Sequence, residues 1–213
     1  LAIEVVAVVF VVCGFAFKIS AVPFHQWAPD TYEGAPTPVT AFFSVATKAA
    51  GFVALMSMIF IAFPGADAVY EPLIWVMAVL TMTFGNLVAL RQTNIVRMLA
   101  YSGIAQAGFM LAPFAVYSAD PELSVSAVVG YLVIYAAMNL GAFAAVIAIA
   151  RKTGSAERDA LGGLFGYAPG LTVVFTLFLA SLVGIPPLGG WYAKFSVMNA
   201  LVGADTAMGY ALA

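Results

Sequence analysis

The sequence predicts an all-α protein that crosses a lipid bilayer several times. Hydrophobic residues make up 64% of the 213 residues and charged residues only 8%, against about 45–50% and about 25% in soluble domains. Long apolar runs separated by proline and glycine are the second observation, because backbone groups inside a bilayer must bond to one another and so favour helices. This composition excludes a soluble enzyme, a nucleic-acid-binding protein and a disordered chain.

Six apolar runs are each long enough for a membrane-spanning helix, which needs about 20 residues. They cover residues 1–28, 37–63, 72–90, 95–117, 123–150 and 169–202. We expect the last few residues to open a seventh helix, which gives a bundle of about six to seven helices. Because the sequence begins with Leu1 and stops within an apolar stretch, we expect residues 1–213 to be a fragment of one longer membrane domain.

Loop charges predict the orientation of the helices. All four arginines lie in or beside two joints between runs, residues 91–97 and 151–158. The positive-inside rule places both joints in the cytoplasm, and alternation of the helices then places the joint 29–36 there as well. We expect Asp30 and Glu33 in that joint to cap helices or face solvent, with a proton entrance as the lesser alternative.

Three of the four lysines lie within apolar runs, at Lys18, Lys48 and Lys194. A lysine at the centre of a membrane helix costs about 2.5–3.5 kcal/mol on insertion scales. Arginine keeps its proton in proteins, whereas a lysine held away from water can release it, so this distribution favours groups that load and release protons. The alternatives are that the lysines pair with carboxylates and only fix helix contacts, or that Lys18 and Lys194 extend to the membrane surface.

Prolines interrupt two of the runs, at Pro23 in the first and at Pro186 and Pro187 in the sixth. Proline removes a backbone donor and clashes with the preceding turn, so each helix is expected to break there. The freed carbonyl groups need protein or water partners, and such breaks therefore line cavities rather than lipid. Each break lies within about seven residues of a lysine. Broken helices in two halves of a chain indicate a transport site, and an ordinary proline kink is the alternative.

Other polar residues in the runs are expected to form hydrogen bonds, and three of them have an alternative role. His25 is either a hydrogen-bonded core residue or a proton relay, and the chain has no second histidine with which to share a metal ion. Tyr101, Ser102, Gln106 and Asn139 are expected to form hydrogen bonds between helices. Holding water in a proton path is the alternative role of Tyr101 and Gln106.

The sequence resembles the antiporter-like membrane subunits of respiratory complex I, the NADH–quinone oxidoreductase, and among them the subunit N group. Four stretches carry this resemblance: Gly14–Val39, Ala46–Gly51, Leu90–Ser102 and Gly184–Phe195. The first holds Lys18, the second holds Lys48 and the last holds Lys194, so the resemblance extends over most of the chain.

The resemblance implies a parent protein of fourteen helices in an inverted-repeat fold, of which this chain covers roughly helices seven to thirteen. It implies that Lys18, Lys48 and Lys194 match the lysines of helices seven, eight and twelve and form a proton relay. His25 and Tyr101 also match family positions. The glutamate that pairs with the helix-seven lysine would lie outside this chain, and Glu4 does not match it.

The resemblance implies proton translocation in a bacterial inner membrane, driven by quinone reduction elsewhere in the complex. The implied partners are other complex I membrane subunits, including a sibling antiporter-like subunit. NADH, FMN, iron–sulfur clusters and quinone would belong to other subunits, so this chain would hold no cofactor or metal and would belong to an enzyme without redox chemistry of its own. Two alternatives stay open: a subunit of a multisubunit sodium–proton antiporter or membrane-bound hydrogenase, and a purely structural membrane scaffold.

Overall fold

The computed structural model describes residues 2–213, with side chains from Ile3 onward, and these residues form a helical bundle. The helices are α1 (Ala2–Ile19), α2 (Trp27–Gly34), α3 (Thr37–Phe42), α4 (Lys48–Ser57), α5 (Asp67–Ala89), α6 (Ile95–Leu111), α7 (Pro121–Thr153), α8 (Leu164–Tyr167), α9 (Pro169–Val183), α10 (Gly189–Gly203) and α11 (Ala207–Leu212). Two π-helical turns, Phe43–Thr47 and Met58–Ala62, join and extend α3 and α4, and 3₁₀ turns cover Ala112–Val116 and Arg158–Leu161.

Four continuous helical stretches among the described residues are long and apolar enough to cross a membrane. They are Thr37–Ala62, Asp67–Ala89, Ile95–Val116 and Pro121–Thr153. The sixth apolar run is divided in two, because α9 ends at Val183 before α10 begins at Gly189. In the first run α1 ends at Ile19, and the next helix, α2, begins at Trp27 and occupies most of the segment 29–36 that was predicted as a joint. The structure thus confirms the predicted breaks at both sets of prolines.

The second break depends on glycine and serine. Gly184 closes α9 with a φ of +94°, a left-handed conformation that glycine adopts without a steric cost. Its amide donates to the Ala180 carbonyl at 3.1 Å. The Ser181 hydroxyl accepts from the Gly190 amide at 3.1 Å and so caps the start of α10. The two half-helices are thereby tied to each other in mid-membrane.

Alternation of the helices brings the arginine-bearing joints together at one end of the bundle. The Ile95 amide donates to the Ala156 carbonyl at 2.9 Å, and the Arg158 amide donates to the Thr93 carbonyl at 2.7 Å. We call this the arginine end. At the opposite end, the segment between α6 and α7 contacts the start of α5. The Ser118 amide there donates to the buried Glu71 carboxylate at 2.7 Å.

Helix α6 lies at the centre of the bundle. Over 18 residues of the stretch Ile95–Val116, 83% are buried. The corresponding share in the other three membrane-length stretches is 28–50%. Small residues let α5 approach it closely, because a Cβ atom on Gly85 would lie 2.6 Å from the Ala105 backbone nitrogen. Such small-residue contacts are the usual interface between membrane helices, where no hydrophobic effect drives association.

Gly85→Ala is expected to destabilise the bundle, because its methyl group would meet the backbone of α6, which cannot move aside. Overpacking of this kind costs about 1–3 kcal/mol. Gly130→Ala is the matched control, since a Cβ atom there has no neighbour within 4 Å and alanine favours helix by about 1 kcal/mol. Thermal unfolding in detergent should show a lower Tm for Gly85→Ala and an unchanged or higher Tm for Gly130→Ala. Equal Tm values would contradict a tight contact at Gly85.

Candidate functional site

Lys48 is the most deeply buried charged side chain among the described residues, with 2% of its surface exposed. It begins α4 directly after the π-helical turn Phe43–Thr47, and such turns within α-helices are frequent at functional sites. Its Nζ donates to the Gly103 carbonyl of α6 at 2.5 Å. Within residues 3–213 the ion pairs are those of Arg97, so the structure gives Lys48 a backbone partner and not a carboxylate.

A cluster of polar groups from α7 meets the Lys48 site. Gly103 makes room for it, because a Cβ atom there would lie 3.0 Å from the Tyr135 Oη and 3.3 Å from the Lys48 Nζ. The Tyr135 hydroxyl donates to the Ser44 carbonyl at 3.3 Å. Asn139 lies one turn further along α7 and donates from Nδ2 to the Ser44 Oγ at 2.7 Å, which confirms the predicted interhelical hydrogen bond of Asn139.

Tyr131 extends this cluster toward the second helix break. It lies four residues before Tyr135 and therefore on the same face of α7, and its hydroxyl donates to Gln106 Oε1. Gln106 lies three residues after Gly103 on α6, and its Nε2 donates to the Leu182 carbonyl at 2.8 Å. Gln106 thus joins α6 to both α7 and α9, as predicted.

Lys194 reaches the same break from α10. Its Nζ donates to the Val183 carbonyl at 2.8 Å and lies 4.5 Å from the centre of the Phe109 ring, a distance at which a cation is attracted to an aromatic face. Gln106 and Lys194 therefore bind the consecutive carbonyls of Leu182 and Val183. A row of polar groups lies between the two lysines, with no hydrogen bond between Tyr135 and Tyr131 among the described residues: Lys48, Gly103, Tyr135, Tyr131, Gln106, Leu182, Val183 and Lys194.

Lys18 lies outside this series. Its stem contacts the helix that carries Lys48, since a Cβ atom on Gly51 would lie 3.3 Å from the Lys18 Cγ. The side chain is exposed in this chain and borders a surface cavity of about 410 Å³ between α1 and α4. Lys18 forms no hydrogen bond or ion pair with the residues that the structure describes.

His25 and Tyr101 lie apart from the connected groups. His25 is buried beside the first break, with its ring centre 4.7 Å from that of Phe84. Its Nδ1 and the Ser20 Oγ are buried without a hydrogen-bond partner among residues 3–213. Tyr101 and Ser102 form no hydrogen bonds through their side chains in this same range, so the predicted interhelical bonds of these two residues are not found.

Asp30 and Glu33 have a third role besides the two that the sequence predicted. Both carboxylates bind the guanidinium of Arg97, at 2.6 Å and 2.9 Å. Asp30 remains 73% exposed, so the expectation that it faces solvent is met. The ion pairs hold α2 against the start of α6 at the arginine end.

The sequence did not indicate roles for Tyr131, Tyr135 and Ser44. The signal for the tyrosines is their position, because membrane tyrosines usually lie near the ends of apolar runs, whereas these two lie inside the run 123–150 at a spacing of four residues. Two tyrosines on one helix face in mid-membrane need polar partners, and that requirement indicates a polar path.

The geometry and the sequence agree with those of known proteins. The family described as NADH:quinone oxidoreductase/Mrp antiporter, TM, matches residues 3–213. The chain belongs to this family. NAD(P)H-quinone oxidoreductase subunit 2 of Thermosynechococcus vestitus is 50% identical over 190 residues, which are 89% of this chain and 36% of that protein. NADH-quinone oxidoreductase subunit N of Trichlorobacter lovleyi is 47% identical over 193 residues, 90% of this chain and 39% of that protein.

A solved structure of respiratory complex I from Thermus thermophilus, with bound Aureothin, contains a similar chain. The TM-score is 0.73 at 31% sequence identity, over 93% of this chain and 43% of that chain. The chain thus spans about two-fifths of the lengths of these relatives. Membership of the NADH:quinone oxidoreductase/Mrp antiporter family confirms the predicted family and the predicted class of a multi-pass, all-α membrane protein.

Gln106→Met is expected to destabilise this antiporter-family bundle, because it leaves the buried Tyr131 hydroxyl and the Leu182 carbonyl without their partner. An unsatisfied buried polar group costs about 1–3 kcal/mol. Gln92→Met is the matched control, since the Gln92 side chain bonds only to the Val88 carbonyl, near the end of α5 and four residues before it in the chain. Thermal unfolding of both variants should give a lower Tm only for Gln106→Met. A Tm equal to that of Gln92→Met would show that the bonds of Gln106 contribute nothing to stability.

Proposed function

We propose that the protein to which this chain belongs translocates protons as an antiporter-like membrane subunit of an NADH–quinone oxidoreductase. The observation that carries this proposal is the pair of membrane lysines, the buried Lys48 and the half-buried Lys194, with a row of polar groups between them in the middle of a mostly apolar bundle. The names of the relatives support the assignment to the oxidoreductase. The chain would hold no cofactor, and the redox chemistry would take place in other subunits.

In the proposed relay, Lys18 exchanges a proton with Lys48 through water, and Lys48 passes it on to Lys194. Between these two lysines, the hydroxyls of Tyr135 and Tyr131 can each accept one proton while they donate another. An amide has no acidic proton to pass on, so Gln106 orients Tyr131 and water. Lys194 then releases the proton toward the end opposite the arginine end.

The driving signal in this mechanism is electrostatic. Lys18 borders a surface cavity, where a carboxylate from outside this chain can pair with its ammonium group. Withdrawal of that carboxylate makes the charged form of Lys18 less stable and sends a proton toward Lys48. Moving one charge through 100 mV is worth about 2.3 kcal/mol, and the electrostatic change at Lys18 must be of that order to drive a pump.

The proposal includes a location and partners. The arginine end would face the cytoplasm of a bacterial cell, in line with the positive-inside rule. Other membrane subunits of the complex, among them a sibling antiporter-like subunit, would contact the exposed apolar faces of the bundle. His25 would serve the relay at the first break, where its Nδ1 has no partner among the described residues, and Tyr101 would hold water nearby.

Lys48→Met is expected to abolish or strongly reduce the protons pumped per electron in the assembled complex, because the relay loses the group that holds the proton in mid-membrane. Lys152→Met is the control, since Lys152 is exposed at the arginine end and donates to the Tyr167 carbonyl. The measurement is proton uptake per NADH oxidised in inverted membrane vesicles. Lys48→Arg keeps the charge but releases no proton, so it should pump as poorly as Lys48→Met.

Each rival function gives its own result in these vesicles. A structural scaffold predicts that Lys48→Met lowers the amount of assembled complex while the assembled fraction pumps normally. A sodium–proton antiporter predicts sodium-dependent proton exchange without an electron donor. Normal pumping by assembled Lys48→Arg would also reject the relay.

Tyr135→Phe is expected to slow proton pumping while it leaves the fold intact, because it removes the hydroxyl next to Lys48 and preserves the ring. Tyr167→Phe is the control, since Tyr167 lies at the arginine end outside the series of polar groups. The same vesicles measure protons per electron at matched amounts of complex. Equal ratios for both variants would remove Tyr135 from the path.

A further inference from the structure

The π-helical turn Phe43–Thr47 contains Ser44 and ends directly before Lys48; we call it the Lys48 turn. In a regular α-helix, residues four apart lie on the same face, so Ser44 and Lys48 would both point to one neighbouring helix. In the structure they contact different helices. Ser44 accepts hydrogen bonds from α7, whereas the Lys48 Nζ donates to the Gly103 carbonyl of α6. The change of partner helix therefore takes place within the Lys48 turn.

The geometry of a π-helical turn accounts for this change of direction. Its amides bond to carbonyls five residues before them, whereas those of an α-helix bond four residues back, so the π-helical turn takes up one extra residue. Neighbouring residues of an α-helix differ in direction by about 100°, because each turn holds about 3.6 residues. If the Lys48 turn became α-helical, Lys48 would rotate by about 100° relative to α3 and would leave the Gly103 carbonyl.

Two side chains of α7 hold the Lys48 turn at Ser44, which is buried. The Lys48 amide donates to the Val45 carbonyl and not to the Ser44 carbonyl, which would be its partner in an α-helix. The Tyr135 hydroxyl donates to this Ser44 carbonyl at 3.3 Å. The Asn139 Nδ2 donates to the Ser44 Oγ at 2.7 Å. Helix α7 thus binds the carbonyl that the Lys48 amide has left.

Hydroxyl groups within the Lys48 turn complete these bonds. The Ser44 Oγ donates its own proton to the Ala41 carbonyl at 2.7 Å, which leaves its lone pairs for the Asn139 amide. The Thr47 Oγ1 donates to the Phe43 carbonyl at 2.6 Å, and bonds of this kind often bend a helix. Among the described residues, the side chain of Asn139 bonds to Ser44 alone. Asn139 therefore acts on Lys48 through the turn and not by contact.

We propose that Asn139 and Ser44 are positioning residues for Lys48. Together they hold the Lys48 turn in its π-helical form, which keeps the lysine directed at the Gly103 carbonyl. Neither residue carries a proton. The use of Lys48 as a proton carrier rests on the proposed function, whereas the direction of its side chain does not.

Asn139→Leu in the assembled complex tests this proposal, because leucine keeps much of the volume of asparagine and cannot donate to Ser44. Cryo-electron microscopy of the purified complex shows the conformation of the turn, and inverted vesicles measure protons per NADH oxidised. We expect the Lys48 turn to become α-helical and Lys48 to lose the Gly103 carbonyl. Protons per electron should fall by at least half of the loss that Lys48→Met causes.

Ser44→Ala removes only the hydroxyl that accepts from Asn139, so it should act in the same direction, and it decides the question if Asn139→Leu does not assemble. Ser124→Ala is the matched control. Ser124 also lies on α7 and is buried like Ser44, but its Oγ has no hydrogen-bond partner among the described residues. Ser124→Ala should leave both the Lys48 turn and the proton ratio unchanged.

Deletion of Ala46 gives a second readout, which a merely stabilising role of Asn139 would not move. With one residue fewer, an α-helical turn spans the length that the π-helical turn spans now, so Lys48 keeps its direction without help from Asn139. We expect this deletion, combined with Asn139→Leu, to restore both the bond to Gly103 and the protons pumped per electron.

An intact π-helical turn in Asn139→Leu, with Lys48 still bound to Gly103, would overturn the proposal whatever the proton ratio. So would an assembled deletion variant that pumps no better than Asn139→Leu alone. The conformation of the turn is observed without any proton pumping. Its result is therefore distinguishable from failure of the relay, which Lys48→Met tests.

Discussion

Unpaired backbone carbonyls at the second helix break are the constraint on which the middle of this bundle depends. Where α9 stops at Val183, its last carbonyls lose their helical partners at a depth without bulk water. The Gln106 amide and the Lys194 ammonium donate to two of them, at 2.8 Å each. The break thus fixes where a glutamine and a lysine are stable, and these two residues are the ones that link the break to the rest of the polar series.

Helix α6 can carry this arrangement because it is buried on most of its surface. One face uses small residues to contact α5, so that Gly85 lies directly against the Ala105 backbone. Another face presents Gly103 and Gln106 to α7. Gly103 has two roles there, since its carbonyl binds Lys48 and its missing side chain leaves space for the Tyr135 hydroxyl. Close contact and polar connection therefore come from different faces of one central helix.

The helical runs, their breaks and the three membrane lysines could be predicted from the sequence, because hydropathy and proline act locally. The partner of each lysine could not. Lys48 binds a carbonyl that lies 55 residues away in the chain, and every residue offers the same carbonyl, so no side-chain pattern marks it. Arg97 binds Asp30 across 67 residues for the same reason: the joints were predicted to share one end, but which side chains meet there depends on how the helices turn.

The two breaks differ in how their polar groups are satisfied, although each carries a lysine on the half-helix that faces the end opposite the arginine end. At the second break, Ser181, Gln106 and Lys194 bind the freed groups within this chain. At the first, buried Ser20 Oγ and His25 Nδ1 lack partners among the described residues, and buried polar groups in proteins are rarely left without one. Water or a group from outside the described residues is therefore needed for these two atoms, although the Val22 amide and the Phe17 carbonyl at the same break are bound by Thr81 and Trp27. In the proposed relay, that difference favours a controllable step near Lys18, where the first break needs a partner from outside the described residues.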